Sequence, residues 1–387
     1  MEATSHPLEG SYQPHELSHL HYGPYVVNDK LLSCLPSSSS RAFIITGSSL
    51  ATKTPLIKNV EDLLTKKHHA GTFANIRQHS QVAQLKEALS LVESDTEIDT
   101  IISIGGGSPI DSSKTIIFRI YELRGVFLTH IAIPTTLSAA ECTSIGGTTM
   151  DDGIKKAIGH PKVLASHVLY DPSFAAHTPP QLFLSTGVRA LDHAVELQYN
   201  RTATWMPCKL MALGAIKELF ALLPVYKKDP KDYDVMTRLF LAAYASLGFL
   251  GRNMVGSVGL SHTLGYSLGS PYGIPHGVTS CLTLGPIVKL KARLDPEAAR
   301  SIAAILPYLG EASRGDKLKD SERVGERILE LVENLGLRSS LGYWNVNTDQ
   351  IDIICARATG AWMPDEQSAT GEGDFHDALR ELVANLY

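Results

Sequence analysis

Apolar residues follow two different rhythms along this chain. From about residue 20 to 175, short apolar runs alternate with segments whose apolar positions recur at spacings of three and four. AFIITG (42–47), TFANIR (72–77), TIISIG (100–105) and FLTHIAIP (127–134) are brief, mostly rich in β-branched residues and in three cases end at Gly or Pro, as buried strands do. PLIKNVEDLLTKK, SQVAQLKEALSLVES and PIDSSKTIIFRIYEL lie between them with helical periodicity. Strand and helix in alternation predict a parallel sheet covered on both faces.

After about residue 176 the β-branched runs fade. KLMALGAIKELFALL, DYDVMTRLFLAAYASLGFL, EAARSIAAILPYL and ERVGERILELVENLG predict a second half that is all helical. The expected organisation is a polar, partly disordered tail over 1–20, an α/β domain over 21–175 and an all-α domain over 176–387. There is no internal repeat, and the one low-complexity patch, Ser37 to Ser40, reads as a loop.

Composition changes this picture little. A chain of 387 residues, 44% of them hydrophobic, fits about two domains. With 35 basic against 40 acidic residues and a net charge of -5, it is no nucleic-acid binder of the phosphate-neutralising kind. Cys34, Cys142, Cys208, Cys281 and Cys355 stand singly, with no C-x-x-C pair, which argues for a reducing compartment and against disulfides or a thiolate zinc site. The first twenty residues lack the basic start and apolar stretch of a signal peptide, and the greasy segment from Met236 is interrupted by Arg238 and bounded by Arg252. A soluble, cytoplasmic protein with no membrane partner is expected.

Chemistry first enters at SIGGGSPIDSSK, Ser103 to Lys114, where three glycines lie between a strand and a helix. Gly105, Gly106 and Gly107 permit a tight turn whose backbone amides can approach an anion. Ser108 is the expected N-cap, Pro109 suits the first helical position, and Asp111 completes an S-x-x-D cap. A sharp turn without a ligand is the plainer alternative. IPTTLSAAECTS, Ile133 to Ser144, follows the next strand with small and hydroxyl residues, and ligands of open α/β sheets sit beyond the carboxyl ends of strands.

GGGSPIDSSK, PTT followed by E-x-T (Pro134 to Thr143), GVRALDHAVE (187–196) and GLSHTLGYSLGSPYGIPHG (259–277) together resemble the iron-containing alcohol dehydrogenase superfamily. The resemblance covers most of the chain and implies a dehydroquinate-synthase-like architecture, an N-terminal dinucleotide-binding α/β domain followed by a helical domain. PTTLSAAECT and LASHVLYDP are more similar to the maleylacetate reductase branch. This implies reduction of a keto acid, an enone or an aldehyde, a small-molecule substrate. Dimers are common in the family, so a homodimer is the expected assembly.

The resemblance also assigns residues. His193, His262 and His276 stand where metal-containing members place three histidine ligands, with thirteen residues between the second and third. The fourth ligand is an Asp four residues before the first His, and here that position is Arg189. A guanidinium has no lone pair to donate and repels a divalent ion, so a metal-free site is favoured. Zinc or iron on the three histidines alone is the alternative. Arg189 then serves as an electrophile, unless it only forms a solvent-facing i, i+3 salt bridge to Asp192. Tyr266 replaces a His implicated in proton transfer, and a phenol is an acid more than a base near neutral pH.

For the cofactor, TGSSLATK (46–53) has no acid where NAD-preferring members often carry one, so Gly47 and Ser48 admit NADPH as well as NADH. The nucleotide set is completed by Gly105, Gly106, Gly107, Ser108, Asp111, Thr135, Thr136 and Lys156, the last corresponding to a family lysine near the nicotinamide, unless Lys155 or Lys156 is merely solvated. The rival reading is a non-redox lyase or cyclase on the same scaffold. Tyr272, Trp205 and Trp362 are candidates for shaping the pocket only because they are bulky.

Overall fold

The computed structural model describes residues 12–151, 155–251, 254, 256–360 and 372–387. Most of the expected tail and Trp362 lie outside the described residues. The chain forms two compact units: one is His15–Phe183 with Asp229–Phe240, the other is built from Leu184–Lys228 and Leu241–Tyr387. The division falls at Phe183/Leu184, against an expected boundary near 175, and returns part of a later helix to the first unit.

The first unit contains β1 (His19–Tyr22), α1 (Val26–Lys30), β2 (Arg41–Thr46), α2 (Ser48–Lys53), α3 (Leu56–His68), β3 (His69–Phe73) and α4 (Val82–Ser94). It continues with β4 (Ile98–Gly105), α5 (Gly107–Arg124), β5 (Thr129–Pro134), β6 (Ile145–Thr149), β7 (Lys155–Gly159), β8 (His167–Tyr170) and α6 (Pro172–Ala175). Six strands make a parallel sheet in the order β1-β8-β5-β4-β2-β3. Successive side chains divide between its faces. Ala42, Ile44, Ile102, Ile104, Ile131 and Ile133 pack with Val60 and Leu64 of α3, whereas Phe43, Ile45 and Ile101 pack with Ala88 of α4 and Ile116 and Ile120 of α5. Both faces are therefore apolar, which is why these strands read as continuous greasy runs.

Two expectations need correction, and one element was not foreseen. The strand expected at 72–77 is β3 at His69–Phe73, because its span is set by pairing with β2, from Ala42↔His69 to Ile45↔Phe73. Its polar first residues are tolerated at the sheet edge, where hydrophobicity is a weak guide. His19 and Leu20, expected in a tail, belong to the opposite edge strand β1, paired with β8. The β6–β7 antiparallel hairpin, glycine-rich and lysine-bearing, carried no recognisable strand pattern.

The second unit is helical: α7 (Pro180–Tyr199), α8 (Leu210–Lys228), α9 (Tyr233–Leu247), α10 (Leu260–Tyr272) and α11 (His276–Leu294) are followed by α12 (Pro296–Ala303), α13 (Lys317–Leu335), α14 (Ile351–Gly360) and α15 (Glu372–Ala384). Both α7 and α9 begin in the first unit. The apolar stripes of α10, α11, α14 and α15 meet in one core that includes Leu264, Leu268, Ile287, Ile354 and Leu379. No helix among the described residues is long and apolar enough to cross a membrane. All five cysteines are buried and free.

Asp171, fully buried at the end of β8, accepts hydrogen bonds from the N–H groups of Tyr25 (3.0 Å), Val27 (3.0 Å) and Ser173 (2.9 Å). Asp171→Ala would leave buried donors without an acceptor and should cost roughly 3 kcal/mol, read as a lowered denaturation midpoint. His130 is buried in β5 against Ser103 Oγ (2.9 Å) and the Val163 carbonyl (3.3 Å), and burial holds its pKa at about 3. The unfolded chain therefore binds the extra proton, and stability should fall by about 1.4 kcal/mol per pH unit as pH drops from 6.5 toward 3. His130→Gln should flatten that acid limb in pH-dependent denaturation.

Candidate functional site

In the first unit, the loops after β4 and β5 meet. Gly105 closes β4 with φ 138°, a backbone conformation that a side chain would strain. A Cβ on Gly106 would lie 3.1 Å from Thr136 Cγ2 and 3.2 Å from its Oγ1, so the turn rests on the segment after β5. The Thr135 N–H donates to the Gly105 carbonyl at 2.9 Å and fixes the two segments together. Thr136 Oγ1 and Ser138 Oγ are buried and have no hydrogen-bond partner among the described residues.

The 18-residue helix α5 begins here with Gly106 as N-cap and no side-chain cap. This corrects the expectation for Ser108. Ser108 lies inside the first turn, where its Oγ accepts the His79 N–H (3.1 Å) and its carbonyl accepts Ser80 Oγ–H (3.0 Å). The positive end of α5 is thus uncapped by its own side chains and adjoins two buried hydroxyls, a donor set that fits a phosphate group. Asp111 turns instead toward Lys114 Nζ at 3.4 Å.

Lys114, which went unnoticed as a functional residue in the sequence, is fully buried, and burial lowers its pKa. Its ammonium donates to the carbonyls of Ala140 (2.6 Å) and Ile145 (2.8 Å) and to Thr143 Oγ1 (3.1 Å), so it shapes the loop after β5. Glu141 in that loop accepts the Tyr170 hydroxyl at 2.5 Å. Gly47 precedes α2 and its Cβ position lies 3.3 Å from the Ile76 carbonyl, while Ser48 is exposed. Lys156 is exposed on β7, opposite Thr148. The side chain of Lys155 lies outside the described residues.

The second unit gathers the other candidates. On α7, Arg189, Asp192, His193 and Glu196 fall at i, i+3, i+4 and i+7, one face of the helix, and all four are buried. His262 and Tyr266 share a face of α10, and His276 and Ser280 share the first turns of α11. The ring of His262 lies 5.1 Å from those of His193 and Tyr266, and Tyr266 lies 5.0 Å from His276. The three histidines, Tyr266 and Arg189 therefore form one cluster. Tyr272 instead donates to Gln350 (2.9 Å) at the helical core, and Trp205 is an exposed residue preceding α8.

Arg189 does not face solvent; it is 5% exposed. Its Nη1 reaches Ser280 Oγ at 3.1 Å and Asp192 Oδ2 at 3.4 Å, and its Nη2 donates to His262 Nε2 at 2.7 Å. Because guanidinium can only donate, Nε2 must accept, and neutral His262 carries its proton on Nδ1. The solvent-facing salt bridge considered above is thus replaced by a buried pair. Burial, reinforced by the charge of Arg189, pushes the pKa of His193 well below its usual value, so that ring is neutral.

Sequence reasoning missed the role of Glu196, although its motif was in view. Its carboxylate accepts the N–H groups of Ser261 (2.7 Å) and His262 (3.2 Å), the otherwise orphan donors at the start of α10. A Cβ on Gly259 would come within 2.4 Å of that carboxylate, so glycine is required there. Burial and the neighbouring Asp192 push the pKa of Glu196 well up. The signal that could have found it is an acid on the same helical face as Arg189 and His193.

Asp192, Glu196 and His262 each present a donor atom within 4.8 Å of the others. They do not fit a divalent cation, because the Nε2 lone pair of His262 already accepts from a guanidinium. Both Glu196 oxygens accept backbone amides, and Asp192 Oδ2 is taken by Ser280 (2.5 Å), Ser261 (3.1 Å) and Arg189, which leaves Asp192 Oδ1 as the one open oxygen of the set among the described residues. A further positive ion would meet Arg189 in a low-dielectric interior.

A family model described as iron-containing alcohol dehydrogenase matches residues 19–172, and another, described as the C-terminal part of the Fe-containing alcohol dehydrogenase family, matches residues 183–387. A maleylacetate reductase of Sphingobium indicum is 29% identical over 303 residues, 78% of this chain and 79% of that one. Dehydrogenase ALT3 of Alternaria alternata is 27% identical over 368 residues, 84% of this chain and 94% of its own length. The crystal structure of maleylacetate reductase from Agrobacterium tumefaciens shares the fold, with a TM-score of 0.79 at 23% identity over 97% of both chains.

Glu196→Gln should destabilise the protein by roughly 1–3 kcal/mol, since its amide N–H group would face one of the two buried backbone N–H groups that Glu196 now accepts. Thermal or denaturant melting measures it, and an unchanged midpoint would exclude this capping role.

Proposed function

Because the chain belongs to the iron-containing alcohol dehydrogenase family and is an oxidoreductase, we propose that it is an NAD(P)H-dependent reductase of a keto acid, enone or aldehyde, working without a catalytic metal. Oxidoreduction displaces the lyase or cyclase alternative. The observation that carries the metal-free reading is the Arg189 guanidinium, 2.7 Å from His262 Nε2 in a buried site.

The nucleotide phosphates are assigned to the amides of Gly105–Ser108 and to the Thr135–Thr136 segment, supported by the uncapped start of α5 and the buried hydroxyls beside it. Asp111 acts indirectly, through Lys114. Gly47 and Ser48 lie at the end of β2 with no adjacent acid to repel a 2′-phosphate, which supports use of NADPH as well as NADH. Lys156 is assigned to the nicotinamide end on its family position alone. Bound reduced nicotinamide would supply the hydride.

Arg189 is proposed as the electrophile. Its Nη1 is held by Ser280 and Asp192 and one Nη2–H by His262, which leaves N–H groups among the described residues for a carbonyl oxygen or substrate carboxylate. Negative charge that develops on the reduced oxygen is stabilised by a fixed cation, the role a metal plays elsewhere. Tyr266, 42% exposed with its ring against His262 and His276, is proposed to donate the proton and recover one from water. His193 and His276 complete the wall that orients the substrate. Resemblance to maleylacetate reductases supports a keto acid or enone as the substrate class.

With maleylacetate and NADH or NADPH as probes, Arg189→Ala should lower kcat by at least about 100-fold, the usual cost of removing a charge-stabilising donor. Nucleotide affinity, followed by fluorescence, should stay as it was; wild-type turnover would remove Arg189 from the mechanism. Activity should also survive exhaustive dialysis against a chelator, and stoichiometric iron or zinc in the active protein would overturn the metal-free reading.

A further inference from the structure

Arg189 sits in a seat that is more elaborate than a salt bridge. Ser280 Oγ lies 3.1 Å from Nη1 and donates to Asp192 Oδ2 at 2.5 Å, so hydroxyl and carboxylate act on the guanidinium as one unit. Asp192 is held in turn by Ser261 Oγ at 3.1 Å, itself 2.8 Å from Thr283 Oγ1. Asp192 is fully buried, and its Oδ1 has no hydrogen-bond partner among the described residues. On the remaining sides are His262 Nε2 at 2.7 Å and the Tyr266 ring, 6.0 Å from Cζ. Gly265 leaves the space, since a Cβ there would fall 3.3 Å from Nη1 and 2.9 Å from Thr279 Oγ1.

We propose that Asp192 and Ser280, with Gly265, build a seat selective for a planar guanidinium, that both are positioning residues for Arg189, and that the seat takes up a free guanidinium ion when the Arg189 side chain is cut back. The consequence for activity rests on the reading of Arg189 as the electrophile; the seat itself does not. Selectivity follows from the fork of N–H donors, which meets acceptors in several fixed directions at once, whereas an ammonium of equal charge presents a compact point. A buried carboxylate deprived of its cation is costly, so the truncated protein has a reason to bind a replacement.

The test uses the full-length protein. Millimolar guanidinium chloride should raise the melting temperature of Arg189→Ala relative to sodium chloride or methylammonium chloride at equal ionic strength. The rise should be absent in Arg189→Ala/Asp192→Asn and in Arg189→Ala/Ser280→Ala. With maleylacetate as substrate, the same additions should restore turnover of Arg189→Ala at least about tenfold. Stabilisation without restored turnover would uphold the seat and defeat the electrophile. No stabilisation of Arg189→Ala, or equal stabilisation of the double variants, overturns the proposal. Should Arg189→Ala fail to fold, Ser280→Ala alone decides: kcat should fall about tenfold at unchanged nucleotide affinity, and unchanged kcat overturns the positioning role.

Discussion

A positive charge buried on the polar face of α7 is the constraint from which the helical unit's site follows. Arg189, 5% exposed, cannot be hydrated as it would be at the surface, and so it needs acceptors on several sides. Asp192 supplies the countercharge three residues along the same helix, Ser280 comes from α11, and His262 Nε2 comes from α10. Each acceptor is anchored in turn, Asp192 by two serine hydroxyls and His262 by the helix start that Glu196 caps. Such a pair contributes little net stability, because desolvation offsets much of its attraction, yet removing one member leaves an uncompensated charge. Its value is geometric, since it fixes a cation and an imidazole tautomer.

In the α/β unit the glycine turn itself is built from neutral groups. It presents a helix start with no side-chain cap, and the loop opposite keeps two hydroxyls dry. Lys114 holds that loop by two carbonyls and the Thr143 hydroxyl, so a buried ammonium is used for shape. The amides and helix dipole at that turn need no proton bookkeeping near neutral pH.

Much of this was legible along the chain. The two rhythms of apolar residues gave the parallel sheet and the helical half, because burial on both faces of a sheet and on one face of a helix leave different periods. Edge elements were less legible. The strand at His69–Phe73 and the strand at His19–Tyr22 are polar, because an edge strand needs a pairing partner more than it needs a core. Ser108 had the chemistry of an N-cap, but the tight glycine turn starts the helix two residues earlier, and the hydroxyl found a partner in the His79 N–H instead.

The sequence by itself determined the fold class, the family and the identity of the substituted residue, Arg189 in place of an acid, since these rest on local pattern and motif order. Only the tertiary structure decided what that substitution does. Spacing alone allowed a solvent-facing salt bridge to Asp192, and the pair is in fact buried, joined to Ser280 91 residues away and to His262 73 residues away. Partners that distant in sequence leave no periodic signal, and whether a charge is solvated or dry depends on which helices pack over it. That packing gave Glu196 its capping role and gave Gly259 and Gly265 their need to be glycine.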